Sequence, residues 1–148
     1  MDAPPFNRYD DRLELPARLS MLPAAATFAQ DFCACNSIGH DDALRLILLI
    51  EELFSNTVRH GYGGECDAPI LIALAIAGEG VTLLYEDQAP RFDPLAYLAD
   101  PPSSLSEPLA TRPVGGLGVH LLNELAADAR YAYEQERNRL WLTLQCRG

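Results

Sequence analysis

Glu52 and Asn56 stand one helical turn apart in IEELFSNTVRHGYGG, residues 50–64, which overlaps the end of the aliphatic run LRLILLI. Leu48, Glu52, Asn56 and His60 recur at four-residue spacing, so a helix stacks them on one face that begins apolar and turns polar. The flanking Phe54 and Val58 point the other way, toward a core. A carboxylate and a carboxamide one turn apart can hold a hydrated divalent cation and polarise a nucleophile. Hard Mg²⁺ suits such oxygen ligands, taking few from protein and the rest from water and phosphate. The same letters also describe a solvated helix end.

Two further stretches could meet a ligand. In YEDQAPRFDP, residues 85–94, Asp87 has the parity of Val81, Leu83 and Tyr85 and so shares the apolar face of its strand. A carboxylate closing such a row either caps a turn or receives a donor, for which the exocyclic amine of a purine is a natural partner. In RPVGGLGVHLL, residues 112–122, Gly115, Gly116 and Gly118 lead into a helix. Glycines allow close backbone approach, and the free N–H groups of a helix start point at an anion. A plain N-terminal turn has the same wording.

These residues need elements to position them. Arg12 to Met21, with Leu13 and Leu15 alternating, predicts a first strand after a loose arm over residues 1–11. Pro23 opens a helix running through AAATFAQDFCAC to Gly39. Asp41 or Asp42 favours the start of a second, whose apolar period extends from Ala43 to Val58 before Gly61, Gly63 and Gly64 stop it. Ile70 to Ala77 and Val81 to Asp87 read as a hairpin turning at Gly78-Glu79-Gly80. Residues 88–115 hold many prolines and serines and read as a long functional loop. A helix from Leu117 to Asp128 follows, then strands Ala129 to Gln135 and Arg139 to Cys146 joined near Arg137-Asn138. In the last strand Leu140, Leu142 and Leu144 face one side, Trp141, Thr143 and Gln145 the other. Adjacent hairpins disfavour a doubly wound parallel sheet. An α+β two-layer sandwich is expected, a mostly antiparallel sheet with helices on one face, in a single domain over residues 12–148.

Composition narrows the classes. With 148 residues, 49% apolar and 22% charged, the chain has the profile of one globular domain. A net charge of −10 argues against a sequence-independent grip on nucleic acid. Cys33, Cys35, Cys66 and Cys146 form no CxxC pair and read as reduced cytosolic thiols. MDAPPFNRYD has no basic patch ahead of an apolar stretch, so no secretory signal is expected, and LILLI and ILIALAIA are too short to span a membrane. A cytoplasmic protein is expected.

The order of the three motifs carries more than any one of them. Glu-x-x-x-Asn on a helix, an Asp ending a strand, a long loop, then GxG opening a helix resembles the Bergerat ATP-binding fold of the GHKL superfamily. NTVRHGY and GGLGVHLL most resemble its anti-sigma-factor serine kinases of the RsbW and SpoIIAB type, and the likeness covers about residues 12–146. The resemblance implies that Glu52 is the general base and that Asn56 ligates the Mg²⁺ bridging the ATP phosphates. It implies that His60 lies on the phosphate side and that Asp87 binds the adenine amine. Gly116, Leu117 and Gly118 would wrap the phosphates, and Thr143 would help hold the Asp87 side. Kinases of this type phosphorylate a serine on a STAS-domain antagonist, sequester a sigma factor or similar regulator, and commonly act as homodimers.

One position departs from the pattern. The family's Asp-x-Gly is here Asp87-Gln88-Ala89, and alanine disfavours positive φ. The following PRFDP matches the family's GPPFDP-like wording. His40, His60 and His120 have no HxH or HExxH spacing, which argues against zinc. Ser103, Ser104 and Ser106 lack a GxSxG elbow, which argues against a serine hydrolase. A histidine kinase needs a dimerisation helix pair, for which the residues ahead of the first strand leave no room, so the ATP-binding domain alone is expected. A nucleotide-gated binding module without phosphotransfer is the remaining alternative, and Glu52 is the residue such a module need not keep.

Overall fold

The computed structural model describes residues 11–93 and 126–146. Five strands form one antiparallel sheet in the order β1-β2-β3-β5-β4. They are β1 Asp11–Pro16, β2 Pro69–Ala77, β3 Gly80–Asp87, β4 Ala126–Glu134 and β5 Arg137–Gln145. Helices α1 Leu22–Cys35 and α2 His40–Asn56 pack together in a second layer. This is the expected α+β two-layer sandwich.

Strand parity sets the core. Ile70, Ile72 and Leu74 of β2, Val81, Leu83 and Tyr85 of β3, and Leu140, Leu142 and Leu144 of β5 all turn toward the helices. There they join Phe32, Leu46, Leu49, Ile50 and Phe54 in one buried cluster. Every residue of β3 is buried, as befits the middle of five strands. Ala73, Leu84 and Trp141 occupy the opposite face. There the Arg130 and Arg139 guanidinium groups lie 5.1 and 5.0 Å from the Trp141 ring centre, and Arg139 donates to Glu86 at 2.6 Å. All four cysteines are free, and burial pushes the Cys33 thiol up to about 11.

Several boundaries differ from the sequence expectation, each for a local reason. Strand β1 stops at Pro16, which has no N–H for the ladder, and a 3₁₀ turn at Leu19–Met21 replaces its expected second half. Helix α1 ends at Cys35 rather than Gly39. The Asn36 amide donates to Phe32 O at 2.8 Å, Ser37 turns left-handed at φ 58°, and the Ile38 N–H returns to Cys33 O. Helix α2 starts earlier, at His40, with Asp41 and Asp42 in the favourable first turn. Its α-helical part ends at Asn56, and Thr57–Gly61 form one π turn closed by Tyr62 N–H to Thr57 O at 2.8 Å.

The last hairpin differs most. Strand β4 begins at Ala126, so the helix expected to reach Asp128 cannot extend that far. The turn is Gln135-Glu136, both at positive φ (53° and 61°), the two-residue geometry that follows strand twist. Arg137 and Asn138, expected to form the turn, are the first two residues of β5. The rest of the long loop, with most of the helix expected from Leu117, lies outside the described residues.

Candidate functional site

The site is built where α2 runs out. Glu52 and Asn56 are both half-buried, on consecutive turns of a helix whose opposite side is locked into the core by Phe54 and Val58, exposed by only 0% and 1%. Four residues rise about 6 Å along the axis, so the acid and the amide are neighbours on the α2 surface. Thr57 begins the π turn and is buried against β3. Its hydroxyl lies 2.9 Å from Asp87 Oδ2, to which it donates, and 2.6 Å from the Tyr85 hydroxyl. His60 is exposed in the same π turn.

Asp87 ends β3 and is almost fully enclosed. Besides the Thr57 hydroxyl on Oδ2, its Oδ1 accepts from the Ala89 N–H at 3.1 Å and from Asn138 Nδ2 at 2.8 Å. A carboxylate offers about four acceptor positions, so one remains, on Oδ2. The chain leaving β3 is pinned by neighbours. The Tyr62 hydroxyl accepts from the Gln88 N–H at 2.7 Å and donates to Pro69 O at 3.2 Å. Asn138 Oδ1 accepts from the Phe92 N–H at 3.0 Å and from the Tyr131 hydroxyl. Asn138 Nδ2 also reaches Ala89 O and Pro90 O at 3.0 and 3.2 Å. Burial raises the Tyr62 and Tyr131 phenols, so both keep the protons they donate.

Ala89 does not take the conformation that its alanine would oppose. Among the described residues, non-glycine positive φ is confined to Ser37, Gln135 and Glu136. The Ala89 methyl is buried and faces Gly61, where an added Cβ would come within 3.0 Å of it. Alanine here packs the turn after β3 onto the turn after α2.

The structure therefore gathers the α2 terminus bearing Glu52 and Asn56 and the β3 terminus bearing Asp87. It does not bring Thr143 to Asp87. Thr143 pairs with Thr82, five residues along β5 from Asn138, which is the residue opposite Asp87. The expected role of Thr143 is corrected by the register: Asn138 stands in that place. Gly116, Leu117 and Gly118 lie outside the described residues. Asn138, Thr57 and Tyr62 went unnoticed in the sequence. Tyr85 parity could have flagged Thr57 as its neighbour only if the helix packing were known, and Asn138 was masked by its resemblance to a turn residue.

The donor chemistry fits an adenine nucleotide with a hard cation. Asp87 offers an acceptor to an amine, Asn56 offers an oxygen to a metal, and Glu52 offers a base to a hydroxyl. Among the described residues no three His, Cys, Asp or Glu side chains cluster, so a cation here would lean on phosphate and water. No described helix is long and apolar enough to cross a membrane.

Comparison with known proteins gives a family and relatives. The family described as Histidine kinase-like ATPase domain matches residues 15–144. The serine-protein kinase RsbW of Listeria monocytogenes serotype 4a is 22% identical over 124 residues, covering 83% of this chain and 79% of that protein. Among solved structures, the RsbU and RsbW domains of Rv1364c from Mycobacterium tuberculosis align with a TM-score of 0.62 at 18% identity. That alignment covers 92% of this chain and 32% of the longer one, about a third of its length. A chain of the SiaB–SiaC complex from Pseudomonas aeruginosa aligns at 0.57 with 12% identity, covering 93% and 90%. At these identities the structural likeness is one of fold.

Proposed function

Because the chain belongs to the histidine kinase-like ATPase domain family, we propose that it is an ATP- and Mg²⁺-dependent protein serine kinase of a partner-switching system. In this reading it phosphorylates a STAS-domain antagonist and, when free of it, sequesters a sigma factor or similar regulator, acting in the cytoplasm as a homodimer. Similarity to RsbW, which is named a serine-protein kinase, supports the reaction class. The SiaB–SiaC complex, in which a chain of this fold meets a second protein, supports a protein partner.

The observation that carries the reading is the Thr57 to Asp87 hydrogen bond of 2.9 Å. It ties the residue directly after Asn56 to the strand end expected to read the base, so the metal side and the base side of one pocket are held in fixed relation. Glu52 takes the proton of the attacking serine hydroxyl, and Asn56 supplies an oxygen to the cation. His60 lies on the phosphate side, and Asp87 accepts from the adenine amine. Gly116, Leu117 and Gly118 would contribute the phosphate contacts that the resemblance implies. When bound, Mg²⁺ supplies neutralisation of the phosphate charge. Positioning and charge stabilisation are most of what phosphoryl transfer asks of a protein.

The test is incubation with labelled ATP, Mg²⁺ and purified STAS-domain proteins of the same organism, followed by detection of phosphoserine. The wild-type chain is expected to label the antagonist. Glu52→Ala is expected to keep ATP binding and lose about 100-fold or more in transfer, the usual worth of a general base. Asn56→Ala is expected to lose the Mg²⁺-dependent part of ATP affinity. Undiminished transfer by Glu52→Ala overturns the catalytic assignment. A wild-type chain that binds ATP and the antagonist but transfers nothing is the nucleotide-gated binding module instead.

A further inference from the structure

Two buried hydroxyls stand behind Asp87 and share a proton-counting problem. Thr57 Oγ1 lies within reach of two acceptors, Leu53 O at 3.0 Å and Asp87 Oδ2 at 2.9 Å. The Tyr85 hydroxyl reaches Leu53 O at 3.0 Å and Thr57 Oγ1 at 2.6 Å. Each hydroxyl has one proton to give. At 2.6 Å the two oxygens need a proton between them. If Thr57 supplied it, Asp87 Oδ2 would lose its buried donor, and charge-assisted bonds are the stronger ones. The consistent assignment runs one way: Tyr85 donates to Thr57, and Thr57 donates to Asp87.

Resting on the nucleotide reading above, we propose that Thr57 and Tyr85 are positioning residues that set base specificity. The directed chain from Tyr85 through Thr57 fixes the Asp87 carboxylate with a single acceptor position open, which takes a 6-amino purine and refuses a 6-oxo purine. The direction matters because a free Thr57 proton could otherwise be offered to a 6-oxo group. With Tyr85 donating to it, Thr57 has its proton committed to Asp87. The remaining donors around the carboxylate, the Ala89 N–H and the Asn138 amide, are spent on Oδ1. Burial first, then the Asp87 charge, pushes the Tyr85 phenol well above its ordinary range, so it stays a donor.

Calorimetric titration with ATP and, separately, inosine triphosphate tests this, with thermal melts confirming that each variant is folded. The wild-type chain is expected to prefer ATP. Thr57→Val leaves Tyr85 satisfied by Leu53 O, and is expected to lose about tenfold in ATP affinity, a charge-assisted bond's worth, with inosine triphosphate unchanged. Thr57→Ser restores the preference. Tyr85→Phe, which removes the donor that commits the Thr57 proton to Asp87 and so lets it be offered to a 6-oxo group, narrows it. Preservation of the ATP preference in folded Thr57→Val overturns the proposal, as does a parallel loss of both nucleotides. A wild-type chain that takes up neither overturns the nucleotide reading itself.

Discussion

At Asp87 three donors from three parts of the chain meet one carboxylate: a threonine from the helix terminus, a backbone amide from the outgoing loop and an asparagine from β5. Asn138 also accepts from the Phe92 N–H and the Tyr131 hydroxyl, so its removal orphans groups on several segments at once. Asn138→Ala is expected to cost about 2 kcal/mol, the desolvation of buried groups left without partners. Urea unfolding measures it as a lowered midpoint at unchanged slope, and a loss below a few tenths of a kcal/mol would contradict the bracing role. Asp87 itself was legible, because strand parity places it on the core side and a buried carboxylate must be paired. Asn138 was not. Arg137-Asn138 has the wording of a turn, yet the turn formed at Gln135-Glu136, two residues with no preference for positive φ. Cross-strand pairing outweighed local turn chemistry, since shifting the register by one residue would move Leu140, Leu142 and Leu144 out of the core.

Among the elements, α2 and its π turn do most to shape the site. The helix face was readable from spacing alone: Phe54 and Val58 are buried where the period puts them, and Glu52 and Asn56 stay half-exposed. The π turn was not readable, because hydrophobic periodicity has no mark for one extra residue in a helical turn. That turn is what brings Thr57 against β3 and Gly61 against Ala89. Gly61 needs no special φ, but a Cβ there meets the Ala89 methyl at 3.0 Å and the Thr57 side chain at 3.6 Å. Gly61→Ala is expected to destabilise by about 1 kcal/mol through overpacking. Adding Ala89→Gly is expected to recover part of it, giving a coupling of about 0.5 kcal/mol or more in a double-mutant cycle by chemical denaturation. Strictly additive effects would mean that the two turns are not packed on each other. Ala89 thus exchanges the usual glycine's conformational freedom for a contact, which the sequence could only present as a departure.

For the molecule as a whole, the sandwich places its three informative termini at one end of the sheet: the close of α2, the close of β3 and the start of β5, where Asp87 pairs with Asn138. Fold class was legible because hairpin order and strand parity are written in short-range patterns, whereas the pairing of β3 with β5 is a long-range choice made by the assembled core. The central claim is that these termini enclose a single adenine nucleotide whose base is held by Asp87. Isothermal titration of the wild-type chain and of Asp87→Asn with ATP in the presence of Mg²⁺ tests it most directly. Asparagine keeps only one acceptor oxygen, so its Nδ2 is set either against the Ala89 N–H and the Asn138 amide or against the Thr57 hydroxyl and the base amine. Saturable binding by the wild type, weakened about tenfold or more in a folded Asp87→Asn, is the expected result. No uptake by the wild type, or equal affinity in the two proteins, would contradict it.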